Sequence, residues 1–372
     1  MENNIFAEIY PLSYVGLVSL LASVSIVATK RFHLNWTSRG HARSALQSAH
    51  THPTPRVGGI AFALGLVVAL LLEVGEGLPL LLMILVSAIP VYVAGLLEDV
   101  SIPVRPRTRL LAAILSSLIM ALWSGYWIAR TQVPMLDSVL SFVPAGILFT
   151  LLVTSGTAHA FNLVDGLNGL STGIGAISAV CLSIMAITVH DHDVAVVTGT
   201  IFFAVGGVFL INYPKGRVFL GDAGAYLLGF TLAWSGVLLI ARNPSVSPWA
   251  VFLVLFWSIM DMLFAILRRL ARRVSMGKPD RMHFHHLVYR VVLNRQQSSQ
   301  NSSARANPAA TAIMFPLFVT PGILGVLSVQ NQHISIALVL LCTTLFALCR
   351  LGIVRRFRQI CRLDVPMFGL RK

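Results

Sequence analysis

Charged residues are scarce in this sequence: Asp, Glu, Lys and Arg together make up 11% of its 372 residues. A soluble protein carries about a quarter of its residues as charges. Hydrophobic residues make up 56% of the chain, and the mean hydropathy is +0.79. This composition excludes a soluble globular enzyme, a disordered chain and a nucleic-acid-binding domain. It predicts a polytopic membrane protein.

Cysteine is also scarce. The four cysteines stand in apolar stretches or in a basic C-terminal tail, without the CxxC or CxxH spacing of a zinc site. Their placement predicts neither a disulfide framework nor a zinc centre. A cleaved signal peptide is not predicted either, because acidic residues precede the first apolar stretch and basic residues follow it.

Long apolar runs recur along the whole chain, each of roughly 18 to 22 residues, which is enough to cross about 30 Å of hydrocarbon. The candidate spans lie at about 10–29, 57–73, 78–97, 109–127, 139–158, 169–189, 194–213, 223–241, 248–267, 310–329 and 334–352. We therefore predict an all-α integral membrane protein with about eleven transmembrane helices. Residues 1–372 are predicted to form a single transmembrane catalytic domain.

Basic residues are confined to alternate loops. With the N-terminus outside, 26 of the 28 Lys and Arg lie on the inner side, and only Arg130 and Arg242 lie outside. The acidic residues divide evenly, so the inner face carries +19 and the outer face −5. The positive-inside rule then predicts an outer N-terminus and a cytoplasmic C-terminus.

Two hydrophilic stretches are predicted on the inner side. Residues 268–309 form a cytoplasmic loop that contains three histidines and ends in a polar run, which is typical of a mobile linker. Residues 350–372 form a basic tail that mixes cations with apolar side chains. Such a tail is predicted to lie on the anionic inner leaflet.

Acidic residues stand beside glycines at the predicted inner ends of three helices. They are Glu98, Asp99, Asp165 and Asp222. Carboxylates at a membrane edge are costly to desolvate unless they are paired or bind a cation. Mg²⁺ prefers oxygen ligands and is usually held by one or two carboxylates together with substrate phosphates. The pattern predicts a magnesium site that handles phosphate; the alternative is that the first two acids merely balance the arginines at 105, 107 and 109.

Three histidines, His283, His285 and His286, follow the ninth span. They lack the additional ligands expected of a zinc site. They are suited to donating hydrogen bonds to a diphosphate beside Arg281, and an inert, solvated histidine run is the alternative. A proline-rich segment that contains Arg56 predicts a rigid entry into the second span.

Five segments, in this order, resemble the motifs of the polyprenyl-phosphate N-acetylhexosamine-1-phosphate transferase family, of glycosyltransferase family 4 type. They are PTPRVGG (53–59), GLLEDV (95–100), HAFNLVDGLNGLS (159–171), FLGDAGAYLLG (219–229) and PDRMHFHH (279–286). The resemblance covers about residues 50–290. It implies transfer of a sugar 1-phosphate from a UDP-sugar to undecaprenyl phosphate, which forms a diphosphate-linked lipid and UMP, with Mg²⁺ or Mn²⁺.

The resemblance implies catalytic roles for three residues. Glu98 and Asp99 match the family's acidic pair near the metal and the lipid phosphate, and Asp99 is expected to activate the acceptor. Asp222 matches a catalytic aspartate that binds the metal, with Asp99 as a second metal ligand. Glu98 departs from the family pattern, which usually has Asp there; its extra methylene could shift a ligand by about 1 Å.

Further positions are implied to bind substrate: Asn162, Asp165, Asn168, His283, His285, His286, Arg281 and Arg56. Asn168 departs from the family pattern, because it stands where the family often has a second Asp. The amide keeps the shape and can hydrogen-bond, but it contributes less to cation binding. The Asp-Arg pair before the histidines, together with Asp261, resembles the N-acetylglucosamine-1-phosphate branch.

The resemblance also implies partners and a location. The implied partners are undecaprenyl phosphate, a UDP-sugar and membrane lipids, and nucleic acid is not among them. The oligomeric state is left open, with a homodimer as one alternative. The location is a bacterial inner membrane. The active site is on the cytoplasmic side and catalyses the first membrane step of a cell-envelope polysaccharide such as O-antigen or enterobacterial common antigen.

The main alternative function is a transporter or flippase of polyprenyl-linked or nucleotide sugars, although transporters place ionisable groups near the bilayer midplane. The third alternative is a binding or scaffold protein.

Overall fold

The computed structural model describes residues 5–37, 54–73, 77–273, 280, 282–295 and 302–363. Within these residues all regular secondary structure is helical, which confirms the predicted all-α class. The first eight helices are α1 (Ile5–Ala28), α2 (Lys30–Thr37), α3 (Gly58–Leu71), α4 (Leu78–Ser87), α5 (Ile89–Asp99), α6 (Pro106–Ser124), α7 (Pro134–Leu140) and α8 (Val143–Val164). The others are α9 (Leu170–Thr188), α10 (His192–Asn212), α11 (Gly221–Arg242), α12 (Pro248–Ala271), α13 (Phe284–Arg295), α14 (Ser302–Leu327) and α15 (Gln332–Leu363).

Most predicted spans coincide with one long helix. In the described part of the chain, nine helices are long and apolar enough to cross a membrane. The predicted span 78–97 is two helices, α4 and α5, bent by 52° at Ala88. Pro90 at the start of α5 explains the bend, because its ring lacks an N–H and obstructs continuation of α4. The predicted span 57–73 is the 14-residue helix α3, only about 21 Å long.

The chain before α3 pairs with another loop. The backbone N–H of Gly58 donates to Phe219 O (2.8 Å), and the N–H of Phe219 donates to Pro55 O (2.9 Å). These bonds hold the segment in an extended form. They also fix Arg56 in front of the first turn of α11.

Helix α11 is the centre of the molecule. Every residue from 221 to 240 is buried, and α3, α5 and α8 all pack against this helix. Glycine makes the close approach possible: a Cβ atom on Gly95 would lie 2.6 Å from Ala223 Cα, and one on Gly59 would lie 2.4 Å from Gly224 N. Small residues let helix backbones meet in this way in membrane proteins. The motif ends of α3 and α5 are therefore drawn to the start of α11.

The region predicted as a hydrophilic loop and a basic tail contains packed helices. Helix α13 lies inside the stretch 268–309 and packs against α14 and α15, whereas residues 296–301 lie outside the described part. Arg350, the predicted first residue of the tail, instead lies within α15 and is 8% exposed. Its guanidinium reaches Asp261 of α12 at 3.6 Å. The first residue of the predicted tail is therefore packed inside the bundle.

Candidate active site

Asp99 ends α5 and is fully buried against the first turn of α11. The backbone N–H of Asp222 donates to its Oδ1, and that of Ala223 donates to its Oδ2, both at 2.8 Å. A carboxylate is stabilised at a helix N-terminus, where free N–H groups and the helix dipole favour negative charge. Gly221 precedes this turn with φ +77°, and a Cβ there would lie 1.9 Å from Arg56 O. Only glycine fits at this position.

Asp222 lies between two arginines. Arg109 Nη1, from the first turn of α6, donates to its Oδ2 at 2.7 Å, and Arg56 Nη2 lies 3.7 Å from its Oδ1. The Asp222 side chain is buried, whereas the two arginines are partly exposed. The arginines near residue 105 were an alternative explanation for Glu98 and Asp99, but Arg109 reaches Asp222 instead. This pairing puts two cations at the edge of the acidic site.

Asp165 follows the last residue of α8, and its Oδ2 accepts the backbone N–H of Gly221 at 3.1 Å. Burial raises its pKa to about 6; Arg56 opposes this shift and Asp222 adds to it. The structure thus brings together Asp99, Asp165 and Asp222 at the first turn of α11. They come from three of the segments singled out in the sequence.

Two other predicted residues hold loops in place. Glu98 Oε2 accepts the backbone N–H of Val104 (2.8 Å) and so closes the turn between α5 and α6. Asn168 Nδ2 donates to Pro214 O (2.7 Å), and the Asn168 backbone N–H donates to Asn307 Oδ1 (2.8 Å). An Asp at 168 could not donate to a carbonyl. The departure from the family pattern at Asn168 therefore has a structural reason.

Asn162 lies in the last turn of α8, three residues before Asp165, and is partly buried. Arg281 lies outside the described residues. The structure therefore places Arg56 beside the three aspartates and Asn162 one helical turn away.

The three histidines of the predicted motif are buried rather than solvated. His283 is 4%, His285 0% and His286 9% exposed. Burial lowers the pKa of His285, and burial together with the neighbouring charges of His285 and His283 lowers the pKa of His286 to about 2. A Cβ on Gly166 would lie 3.0 Å from His285 Nε2. The histidine motif thus packs against the residue that follows Asp165.

Residues outside the predicted set also border the site. The ring of His159 on α8 lies 4.9 Å from that of Tyr226 on α11, one turn after Asp222. Its Nε2 is buried and has no hydrogen-bond partner among the described residues. A histidine inside an apolar span is the sequence signal that could have identified it. Asp261 of α12 is a second residue outside the predicted set. Its Oδ2 lies 3.1 Å from His283 Nδ1.

No three His, Cys, Asp or Glu side chains are grouped as a ready-made metal site in the part of the chain that the structure describes. The acidic site instead offers carboxylate oxygens with arginines beside them.

The sequence profile of glycosyl transferase family 4 matches residues 81–240. The decaprenyl-phosphate N-acetylglucosaminephosphotransferase of Mycobacterium tuberculosis is 28% identical over 315 residues, which are 76% of this chain and 77% of the relative. The undecaprenyl-phosphate alpha-N-acetylglucosaminyl 1-phosphate transferase of Yersinia pestis is 28% identical over 270 residues, 67% of this chain and 69% of the relative. A probable undecaprenyl-phosphate N-acetylglucosaminyl 1-phosphate transferase of Bacillus subtilis is 25% identical over 253 residues, 68% and 70% of the two chains.

The profile match contains all three aspartates that meet at the first turn of α11. The matches to the relatives extend over two thirds or more of this chain. Nine helices in the described part of the chain are long and apolar enough to cross a membrane. The chain is therefore a multi-pass membrane protein whose residues 81–240 match glycosyl transferase family 4, and its predicted resemblance to the polyprenyl-phosphate N-acetylhexosamine-1-phosphate transferases is confirmed.

Proposed function

We propose that this protein transfers a sugar 1-phosphate, N-acetylhexosamine 1-phosphate in particular, from a UDP-sugar to undecaprenyl phosphate. The products are a polyprenyl diphosphate-sugar and UMP, at the first membrane step of a cell-envelope polysaccharide such as O-antigen or enterobacterial common antigen. One observation carries the proposal: Asp99, Asp165 and Asp222 meet at a helix N-terminus with Arg56 and Arg109 beside them. The named activities of the relatives support it.

The reaction forms one P–O bond and breaks another. A phosphate oxygen of the lipid attacks the phosphorus that carries the sugar, and the bond from that phosphorus to the bridging oxygen breaks. The electron pair leaves on UMP. A phosphate monoester anion is already nucleophilic at neutral pH, so positioning and neutralisation of charge supply most of the acceleration.

The chain's own residues divide this work. Arg56 and Arg109 bind phosphate oxygens through charge-assisted hydrogen bonds, for which their planar guanidinium groups are suited. Asp99 faces the acceptor phosphate and accepts its proton when the phosphate arrives protonated; each of its oxygens retains a second lone pair beyond the backbone hydrogen bond that it accepts. Asp165 and Asn162 face the nucleotide.

The acidic site fits Mg²⁺, or Mn²⁺ in its place, because its donors are all carboxylate oxygens. One or two carboxylates suffice, since substrate phosphates and water supply the other ligands. Asp222 and Asp99 would hold the ion. When bound, it would neutralise the negative charge that develops on the diphosphate.

We further propose that the site lies on the cytoplasmic face of a bacterial inner membrane. The acidic site lies at the helix ends that carry the basic loops, and those loops remain inside under the positive-inside rule. A UDP-sugar is made in the cytosol and would reach the site from that side.

The test is release of UMP by the purified protein with undecaprenyl phosphate, Mg²⁺ and a panel of UDP-sugars. We expect release with at least one N-acetylhexosamine donor, and none when the lipid acceptor is omitted. The absence of UMP with every donor would overturn the proposal. Movement of labelled UDP-sugar or lipid-linked sugar across proteoliposomes without UMP release would favour the transporter or flippase instead.

A further inference from the structure

Asp261 is a buried carboxylate that lies outside the group of three aspartates. Its side chain is fully buried in α12, within the apolar part of the bundle. The backbone N–H of Phe284 donates to Oδ1 (3.0 Å), and His283 Nδ1 lies 3.1 Å from Oδ2. A charge buried at this depth is retained only where partners compensate its desolvation. Both carboxylate oxygens are directed at the histidine motif.

The same carboxylate faces one edge of the His285 ring. His285 Nδ1 lies 3.6 Å from Asp261 Oδ2, while the opposite nitrogen, Nε2, faces Gly166. Neither ring nitrogen of His285 has a hydrogen-bond partner among the described residues, although the ring is fully buried. Buried polar atoms are almost always hydrogen-bonded. Nε2 is thus an unpartnered polar atom at the turn that carries Asp165.

Arg350 of the last helix, α15, contacts both Asp261 and the histidine motif. Arg350 Nη1 lies 3.6 Å from Asp261 Oδ1, and its Nη2 donates to Met282 O at 2.9 Å. A guanidinium remains protonated at any physiological pH, so it keeps the neighbouring carboxylate charged. The charged carboxylate attracts the N–H of each neighbouring ring to its Nδ1 position. Nε2 of a neutral ring then carries a lone pair.

We propose that Asp261, held by Arg350, is a positioning residue that fixes His285 with its proton on Nδ1, so that Nε2 accepts a hydrogen bond from a hydroxyl or N–H group of the bound nucleotide sugar. The inference rests on the proposed function and deepens it, because it assigns the histidine motif to a donor group of the substrate rather than to its phosphates. Phosphate oxygens accept hydrogen bonds and cannot donate to this lone pair.

A purely structural role for Asp261 predicts something different. Phe284 already anchors the motif through rings at 4.9 Å (Trp257) and 5.3 Å (Phe346). If Asp261 only stabilised this packing, its removal would lower stability without moving the proton between the ring nitrogens. The position of the His285 proton therefore separates the two roles.

The first measurement is the tautomer of His285 by ¹⁵N NMR on the full-length protein, labelled at histidine and assigned with the variant His285→Gln. We expect the proton on Nδ1 in the wild type and in Arg350→Lys, and a mixture of tautomers in Asp261→Asn. A proton on Nε2 in the wild type would overturn the proposal. This measurement needs no turnover, so it stands even if the proposed reaction fails or Asp261→Asn does not fold.

The second measurement is kcat/KM for UDP-N-acetylglucosamine with undecaprenyl phosphate as acceptor. Asp261→Asn should lower it about 10- to 100-fold, as loss of a carboxylate that orients a histidine does at metal centres. In the background His283→Gln with His285→Gln, the same substitution should add little, because a positioning residue acts only through its partners. A full additional loss in that background would contradict the proposal.

A matched control exists at the other end of the molecule. Asp191 is a buried aspartate paired with Arg242 at 2.9 Å, far from the histidines. Asp191→Asn should lower thermal stability but leave the His285 tautomer and kcat/KM unchanged. If wild-type protein releases no UMP, the proposed function fails; if it is active and Asp261→Asn matches Asp191→Asn in both measurements, only this inference fails.

Discussion

Arg109 donates a 2.7 Å hydrogen bond to the carboxylate of Asp222, which lies 113 positions further along the chain. Arg56 faces the other oxygen of the same carboxylate at 3.7 Å. The two cations compensate the burial of Asp222. Under the proposed function, the same guanidinium groups would also bind the substrate phosphates.

Removal of the Asp222 charge should nearly abolish activity. Asp222→Asn leaves both arginines without their counter-ion and removes a proposed metal ligand, so we expect UMP release to fall by at least about 10²-fold, as for loss of one preorganised electrostatic group. Initial rates measure the effect. Asp193→Asn, which breaks a pair with Arg242 at the opposite end, is the control and should retain the wild-type rate. Equal rates for both variants would contradict the assignment of the site.

A methyl group at Gly95 should destabilise the protein. The added Cβ would lie 2.6 Å from Ala223 Cα, and backbone atoms cannot move aside cheaply. We expect Gly95→Ala to lower the stability by about 1 to 3 kcal/mol and to lower the midpoint of thermal unfolding. Gly206→Ala is the control, since no atom lies within 4 Å of the added Cβ. An unchanged midpoint for Gly95→Ala would argue against the close packing of α5 on α11.

Restoration of the family's aspartate at position 168 should weaken the fold. Asn168→Asp loses the donor to Pro214 O and sets a carboxylate against a carbonyl in a site that is 6% exposed. The expected loss is about 1 to 3 kcal/mol, the typical cost of an unsatisfied buried polar group. Asn162→Asp, on a partly exposed face, should have a smaller effect on stability. Thermal unfolding distinguishes the two, and a higher midpoint for Asn168→Asp would contradict the structural explanation.

Stability should decline in mild acid because of the buried histidines. Burial lowers the pKa of His286 to about 2, whereas an unfolded histidine titrates near 6.5. Between these values the unfolded chain binds a proton that the folded chain does not, so the free energy of unfolding falls as the pH drops below about 6.5. We expect the midpoint of thermal unfolding to fall between about pH 7.5 and about pH 5.5, and to fall less in His286→Gln. Identical slopes in the two proteins would refute this assignment.

The orientation in the membrane can be tested by labelling. Ser138 and Lys215 are both exposed, but they lie on opposite predicted sides. In intact cells of the expression host, a membrane-impermeant thiol reagent should modify Ser138→Cys but not Lys215→Cys, with the native protein showing the background from its own cysteines. The reverse pattern would invert the predicted topology.

Most of the fold class and part of the site could be predicted because they depend on short-range properties. A run of apolar residues is helical in a membrane whatever its neighbours, since its backbone must satisfy its own hydrogen bonds. Asp99, Asp165 and Asp222 stood out because a carboxylate in apolar surroundings is costly to desolvate unless it is paired or binds a cation. Their residue types and glycine neighbours were enough to indicate phosphate chemistry.

The partners of these side chains could not be predicted in the same way. Asn168 was grouped with the substrate-binding residues, but its amide hydrogen-bonds to the loop at Pro214. Arg350 was assigned to a surface tail, although it is buried beside Asp261. Composition marks a basic segment, but only the packing of α15 on α12 and α13 decides that one of its cations points inward.

The sequence by itself therefore determined that this chain is a membrane protein, and it predicted which face carries the basic residues and which acids to examine for chemistry. Local hydropathy and the cost of burying charge are sufficient for those conclusions. Only the tertiary structure decided which acid meets which arginine, and which carboxylate faces His285. Those pairings join residues 113 and 24 positions apart in the chain, and they follow from helices whose glycines and aromatic rings fix how closely they pack.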